Sequence, residues 1–136
     1  MGEYYNQDYS QEEIEAYLKK IHDCVREGSF TIAQNENRQE NINFKNEFNI
    51  NSRKQGEILL DIKVEDFCHS LQNSNVGFEH EVLYVFCPQV QLYNIYDIKE
   101  IVDIYIKFNL IEMYNRNRTI IVSFHKRNRS INYLYR

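Results

Sequence analysis

One stretch in the C-terminal third of the sequence alternates strictly between apolar and polar residues. It lies within residues 100–112, EIVDIYIKFNLIE, a run rich in aromatic and β-branched side chains, and the alternation extends from residue 102 to residue 110. Successive side chains of a β-strand point to opposite faces, so this period of two predicts a strand with one face toward the core and one toward solvent or a ligand. The core face would carry Val102, Ile104, Ile106, Phe108 and Leu110, and the other face Asp103, Tyr105, Lys107 and Asn109.

Two further runs have strand character, EVLYVFCP (81–88) and RTIIVSFHK (118–126). A short MYNRN turn separates the second run from the alternating strand, which predicts an antiparallel pair. Between Pro88 and Glu100, the segment QVQLYNIYDIK is expected to form a long loop or a small inserted element.

The N-terminal half has helical signals instead. In SQEEIEAYLKKIHDCVREG, Ser10 and Glu13 form a capping box, and Gly28 supplies a left-handed C-terminal stop. These signals predict a helix that buries one apolar stripe. The stripe consists of Ile14, Tyr17, Leu18, Ile21 and Val25.

Two weaker elements follow this helix. SFTIAQ is expected to form a short strand, and NENRQENINFKNEFNI a short polar helix with Ile42, Phe44 or Phe48 turned inward. A further helix is expected through RKQGEILLDI. Either Asn51 or Ser52 would be its N-cap, and the helix would end near Lys63.

Helices first and strands afterwards predict an α+β fold, in which the N-terminal helices pack on one face of an antiparallel sheet and the other face is polar. The length of 136 residues predicts a single domain spanning 1–136. The N-terminus MGEYYNQDYS lacks the basic and apolar character of a signal peptide, so a cytoplasmic protein without a membrane span is expected. Cys24, Cys68 and Cys87 form neither an even set nor a CxxC pair, which favours reduced thiols.

Charge is distributed unevenly along the chain. The formal net charge is -4, yet residues 101–136 carry seven basic and two acidic side chains. A basic end of this kind can attract phosphate groups. Its tyrosines, in NYLYR, are expected either to stack on bases or to pack against the sheet.

The polar face of the last two strands gathers Tyr105, Lys107, Ser123 and His125, which suits a phosphate site. Metal-independent RNA cleavage needs a base for the ribose 2′-hydroxyl, an acid for the leaving 5′-oxygen and cations for the phosphorane charge, and histidine serves both proton roles. A second histidine, His69 in KVEDFCHSL, could approach His125 if the chain enters the sheet there.

Other chemistries find little support. The HDC and CH spacings around Cys24 and Cys68 are not those of zinc ligands, so no metal site is predicted. The sequence contains no GxGxxG, GxxxxGK[ST], HExxH or GxSxG, so nucleotide hydrolysis, zinc proteolysis and α/β-hydrolase chemistry have no support.

Several stretches within residues 17–136, taken in order, resemble the MqsR family of toxins from bacterial type II toxin-antitoxin systems. LKKIHDCVREGSFTI is similar to the family's opening helix and first strand, and ILLDIKVEDFCHSL to its LL.L..EDYYK segment. EVLYVF and DIYIKFNL are similar to its paired VWVF and VYIKL strands, and IIVSFHKRNRSINYLYR to its ISFH…YPY ending. The resemblance implies a compact fold related to the RelE-like ribonucleases, messenger RNA as substrate, no cofactor, and inhibition by a cognate antitoxin protein.

The resemblance also implies roles for individual residues. His69 stands where the family usually has a catalytic lysine, Tyr105 matches its active-site tyrosine, and His125 stands at the basic active-site position at the end of a strand. The two histidines would share the proton transfers of a 2′-hydroxyl attack that leaves a 2′,3′-cyclic phosphate. The RNA backbone would be held by Lys107, Lys126, Arg127 and Arg129.

Two other function classes stay open. A non-enzymatic interaction protein from a mobile element would use a strand edge or the basic tail to bind a protein partner. An RNA-binding module without catalysis would bind RNA in a salt-sensitive manner that survives loss of both histidines.

Overall fold

A computed structural model describes residues 5–33, 38–73, 76–77 and 79–136. In these ranges the chain combines α-helices with an open β-sheet, which confirms the predicted α+β class. None of the helices described is both long enough and apolar enough to cross a membrane. Two stretches on which predictions fall lie outside the described residues. They are 1–4, in the N-terminal segment, and 34–37, where the first predicted strand meets the polar helix.

Helix α1 (Gln11–Glu27) has the predicted boundaries. The Glu13 N–H donates to Ser10 Oγ at 3.2 Å, and the Ser10 N–H donates to the Glu13 carboxylate at 2.9 Å. At the other end Gly28 has a φ of 71°, a left-handed conformation that costs glycine little. The buried stripe joins the main core through Ile14, Leu18, Ile21 and Val25.

Removing the capping box should weaken α1 measurably. Ser10→Ala leaves the Glu13 N–H without its acceptor, and N-cap replacements of this kind cost about 1 kcal/mol. We expect the free energy of unfolding from urea titration to fall by that amount. Ser130→Ala, which changes an exposed serine outside any helix, is the control and should leave stability within about 0.5 kcal/mol. Equal stabilities for the two variants would contradict this role of Ser10.

Helix α2 (Arg38–Glu47) and the residue that follows it each contribute one aromatic side chain to the core. Of the three candidates for inward positions, Phe44 and Phe48 are buried, whereas Ile42 remains on the surface. The rings of Phe44 and Phe48 contact each other with centroids 5.3 Å apart. This polar helix is therefore held by a small apolar contact rather than by a long stripe.

Helix α3 (Ser52–Leu60) begins where predicted and ends earlier. Asn51 is its N-cap, since the Lys54 N–H donates to Asn51 Oδ1 at 2.8 Å. The helix stops at Leu60 instead of near Lys63, because the chain turns there into a short 3₁₀ segment (Val64–Asp66) that leads into the sheet.

The described strands form one hydrogen-bonded sheet. They are β1 (Tyr5–Asn6), β2 (Phe30–Ile32), β3 (Phe67–Gln72), β4 (Val82–Phe86), β5 (Gln89–Tyr93), β6 (Lys99–Glu112) and β7 (Asn117–Lys126). Their order in space is β1-β3-β4-β6-β7-β2, and β5 also pairs with β6. All pairs are antiparallel except β2 with β7, which run parallel. The predicted antiparallel sheet is therefore correct apart from this outer pair.

The long strand β6 aligns its neighbours. On one side it pairs with β4 and then β5 in a single continuous register, with Phe86 opposite Ile106 and Gln89 opposite Asp103. The segment after Pro88 is thus a strand and a turn, so of the two alternatives the small inserted element is the one observed. On its other side β6 pairs along most of its length with β7.

The two faces of the sheet differ in what covers them. Helices α1, α2 and α3 pack on the first face, where the alternating apolar residues of β6 join the main core. The second face was predicted to be polar, and this is correct only in part. It carries a smaller apolar cluster because several of its positions on β3 and β4 are apolar. The buried members of this cluster are Cys68, Leu71, Leu83, Val85, Cys87 and Tyr105.

The basic, tyrosine-rich tail after β7 packs back onto the protein. The Tyr133 hydroxyl donates to the Cys87 carbonyl at 2.6 Å, and the Leu134 N–H donates to the Phe67 carbonyl at 3.1 Å. Arg136 lies 2.7 Å from the Asp66 carboxylate and forms an ion pair with it. Of the two alternatives for NYLYR, packing against the sheet is the one observed.

Candidate active site

Polar residues that the sequence singled out meet on the second face, at the pairing of β6 with β7. Tyr105 lies opposite His125, and Lys107 lies opposite Ser123. Directly opposed residues of an antiparallel pair have their Cβ atoms about 5 Å apart on one face, so the four side chains are neighbours. Together with Arg129, which follows β7, they are called the Tyr105–His125 cluster below.

Two aromatic rings form the centre of this cluster, with cations beside them. The Tyr105 and His125 rings stack nearly parallel, with centroids 5.5 Å apart and planes 16° apart. Lys107 Nζ and Arg129 Cζ each lie 5.8 Å from the centroid of the Tyr105 ring, within cation–π distance. Only 3% of Tyr105 and 6% of His125 is exposed. The cluster therefore combines a titratable ring, a phenol and two positive charges in a small area.

The hydrogen bonding of His125 determines which ring nitrogen can take up a proton. Its Nδ1 lies 2.8 Å from the Lys126 carbonyl oxygen. A carbonyl oxygen can only accept, so Nδ1 carries the hydrogen, and in the neutral ring Nε2 keeps a lone pair. Glu40 Oε2, which Asn128 holds by a 3.0 Å hydrogen bond, lies 3.8 Å from Nδ1 and would form an ion pair with the protonated ring.

A β-bulge in β7 brings these residues to the second face. Lys107 pairs with Ser123, whereas the next residue of β6, Phe108, pairs with Ile121, so Val122 is the extra residue. A bulge inserts one extra residue into a strand, so the side chains beyond it point to the opposite face from the one that regular alternation would give. Ile121 can therefore face the main core while Ser123 lies on the second face.

His69 shares this face without reaching His125. It lies on β3 opposite Val85, and Val85 lies opposite Lys107. Adjacent strands are about 4.8 Å apart, so three strand spacings separate the backbones of the two histidines by at least roughly 14 Å. Instead, the His69 ring stacks on Tyr5 with centroids 4.1 Å apart. The structure thus brings His125 together with Tyr105 and Lys107 but not with His69.

Lys126 and Arg127, both predicted as RNA-backbone contacts, are engaged in ion pairs. Lys126 Nζ lies 2.9 Å from Glu47 Oε2 at the end of α2. Arg127 Nε lies 3.4 Å from Asp103 Oδ2, and the Arg127 N–H also donates to the Asp103 carbonyl at 2.9 Å. These carboxylates offset much of the positive charge that both side chains could offer to a phosphate.

The cysteines on this face do not provide a nucleophile. Burial raises the pKa of the Cys87 thiol to about 11, and it raises that of Cys68 further. The thiolate is the reactive form, so both groups are inert thiols at neutral pH. All three cysteines are buried and form no disulfide, as the sequence predicted.

Sequence reasoning did not identify two residues that support His125, namely Glu40 and Asn128. Glu40 is one of several acidic residues in a polar helix, and Asn128 belongs to the basic tail, so neither carries a local signal. Their proximity arises only when α2 packs beside β7.

Comparison with protein-family models, with curated proteins and with solved structures yields no match for this chain. The resemblance to the MqsR family therefore remains a prediction based on the order and character of the sequence motifs.

Proposed function

We propose that this protein is an MqsR-like toxin, a metal-independent endoribonuclease that cleaves single-stranded messenger RNA. The observation that supports this most directly is the Tyr105–His125 stack with Lys107 and Arg129 beside it. These groups match the needs of phosphodiester cleavage, namely a base, a hydroxyl donor and cations at one site. A RelE/MqsR-like fold is part of the proposal, and helices confined to one face of the sheet, opposite the cluster, agree with it.

In the proposed reaction His125 Nε2 removes the proton from the ribose 2′-hydroxyl. The 2′-oxygen then attacks the adjacent phosphorus, the bond from phosphorus to the 5′-oxygen breaks, and a 2′,3′-cyclic phosphate remains. The Tyr105 hydroxyl donates a proton to the departing 5′-oxygen, since tyrosine is a hydrogen-bond donor at neutral pH. Lys107 and Arg129 stabilise the negative charge on the phosphorane.

The strand order changes the role proposed for His69. With three strand spacings between it and His125, His69 does not take part in proton transfer at the same phosphate. We assign to it contact with a neighbouring nucleotide, together with the Tyr5 ring that it stacks on. Aromatic and imidazole rings suit this task because unpaired bases stack on them.

The test is to incubate the purified protein with a long single-stranded RNA in EDTA and to map the product ends. We expect cutting at a restricted set of sites and 2′,3′-cyclic phosphate termini. The double variant Tyr105→Phe/His125→Ala, purified in parallel, controls for contaminating nuclease and should leave the RNA intact. Uncut RNA in the wild-type reaction, from a folded sample free of other proteins, would refute the proposed activity.

A non-enzymatic interaction protein is the second candidate. The ion pairs of Lys126 and Arg127 favour it, because they leave fewer cations for a nucleic acid. It predicts no cleavage and no salt-sensitive RNA binding, whereas a purely RNA-binding module predicts binding without cleavage. The same RNA incubation, combined with a binding titration at two salt concentrations, therefore separates the three functions.

A further inference from the structure

The groups that carry the proposed reaction are covered in this structure. Only 3% of Tyr105 and 6% of His125 is exposed. A general base must come within about 3 Å of the proton that it removes. The surface that these two side chains leave open is too small to admit a ribose with its phosphate. RNA therefore reaches His125 Nε2 only if part of the cover moves away.

The cover is the end of the chain. After β7 the chain crosses the second face, because its successive backbone contacts fall on β6, just after β4 and at the start of β3. Ile131 and Tyr133 pack against the apolar cluster of this face, to which Tyr105 belongs. The Leu134 N–H then donates to the Phe67 carbonyl. Residues 130–136 are called the C-terminal strap below.

The residues just before the strap are fixed beside the site. The Arg127 backbone N–H donates to the Asp103 carbonyl at 2.9 Å, and Arg127 Nη1 donates to the Arg129 carbonyl at 3.1 Å. Arg129 thus has an anchor on β6 that does not involve the strap. A movement that begins after Arg129 leaves its guanidinium near the Tyr105 ring.

The far end of the strap is held by polar contacts near the surface. Arg136 forms its ion pair with Asp66, and its Cζ lies 3.9 Å from the centroid of the Tyr133 ring. The Tyr133 hydroxyl donates to the Cys87 carbonyl at 2.6 Å. Other hydrogen bonds of the strap run from Gln7 Nε2 to the Asn132 carbonyl, from the Tyr135 hydroxyl to the Tyr9 carbonyl and from Arg136 Nε to the Glu65 carbonyl.

These contacts are of a kind that opens before the core does. Each residue of the strap keeps part of its surface exposed. Chain ends with little buried surface open at a lower free energy than the whole protein. When Arg136 leaves, Asp66 keeps the hydrogen bond that the Lys63 N–H donates to its carboxylate at 2.8 Å. Opening therefore does not leave this carboxylate without a partner.

We propose that the C-terminal strap controls access to the candidate site. It is closed in the state described here, and it opens as a unit after Arg129 while the sheet and the helices stay folded. Arg136 and Tyr133 make the contacts that hold it closed. The open state exposes the Tyr105–His125 cluster to a single strand of RNA. The admission of RNA rests on the proposed function, whereas the opening of the strap does not.

Labelling of Cys87 measures the opening without RNA. Cys87 is buried in the cluster against which Tyr133 packs, so iodoacetamide reaches it only after the strap or the whole protein opens. Urea separates these two routes, because the urea dependence of an opening scales with the surface that it exposes. Peptide mass spectrometry of Cys87 at urea concentrations below the unfolding transition should show a labelling rate that is nearly independent of urea.

The double variant Tyr133→Phe/Arg136→Gln weakens the closed state. It removes the hydrogen bond to the Cys87 carbonyl and the ion pair with Asp66, and both contacts are absent once the strap is open. We expect Cys87 to be labelled about tenfold faster than in the wild type. Arg53→Gln is the matched control. It makes the same change at an exposed arginine on α3, 3.9 Å from Glu57, and should leave the labelling rate unchanged.

Cleavage of RNA gives a second readout. The apparent affinity for a substrate falls with the fraction of protein that is open. At limiting RNA the double variant should therefore cleave about tenfold faster than the wild type. If the wild type leaves RNA intact, the proposed function fails, whereas the labelling still decides whether the strap opens.

Four results would overturn the proposal. One is Cys87 labelling in the wild type that rises with urea as steeply as global unfolding. Another is a double variant that is labelled at the wild-type rate, and a third is an Arg53→Gln protein that is labelled as fast as the double variant. The fourth is an active protein whose cleavage at limiting RNA is unchanged in the double variant.

Discussion

A His125→Ala protein should cleave single-stranded RNA about 10²- to 10⁴-fold more slowly than the wild type, the range that a general base contributes. The substitution removes the Nε2 lone pair that the proposed reaction needs, and it also removes the ring that stacks on Tyr105. Single-turnover rates in EDTA measure this loss without a contribution from product release.

His80→Ala is the matched control for this prediction. His80 is an exposed histidine in the segment before β4, outside the Tyr105–His125 cluster, so its loss should leave the cleavage rate unchanged. Circular dichroism and thermal unfolding must show that both variants are folded. If folded His125→Ala protein cleaves at the rate of His80→Ala, then His125 is not the base and the proposed site is wrong.

A Phe124→Ala protein should lose about 3–5 kcal/mol of its free energy of unfolding, as large-to-small changes at fully buried phenylalanines do. The Phe124 side chain has no exposed surface, and its ring lies 5.7 Å from that of Phe44, centroid to centroid. Its backbone N–H also donates to the buried Asn41 Oδ1 at 2.9 Å. This residue thus connects β7 to α2, directly beside the candidate site.

Urea titrations of the wild type, of Phe124→Ala and of Tyr114→Ala measure the effect. Tyr114 is fully exposed in the turn between β6 and β7, so its replacement should change stability by no more than about 0.5 kcal/mol. A loss of less than about 1 kcal/mol for Phe124→Ala would contradict the packing described for α2 on β7.

The sequence predicted the elements whose structure depends on residues close together in the chain. The capping box at Ser10 and the left-handed Gly28 fix both ends of α1 without help from the rest of the chain. The alternation in β6, the short turn after it and the polar residues at positions 123 and 125 predict that Tyr105 and His125 share one face of the β6–β7 pair, whereas their direct pairing also depends on the bulge at Val122. The core of the candidate site was therefore accessible from residues close together in the sequence.

Features that depend on packing between distant segments could not be predicted. The separation of His69 from His125 follows from the position of β4 and β6 between β3 and β7, which no local pattern encodes. The apolar cluster on the second face arises because Cys68 and Leu83 come together from different strands. Strand β5 was left open between a long loop and a small inserted element, because a run of only five residues is too short to decide between them.

The outer strands of the sheet have a consequence for synthesis of the chain on the ribosome. Both ends of the sheet are formed by early segments, β1 and β2, and β2 pairs in parallel with β7, where Phe30 meets Thr119. These strands must wait for partners that emerge much later, and such non-local pairing is slow to form. A ribosome that stops before residue 117 therefore releases a chain with an unfinished sheet and no His125, so a truncated translation product is harmless under the proposed function.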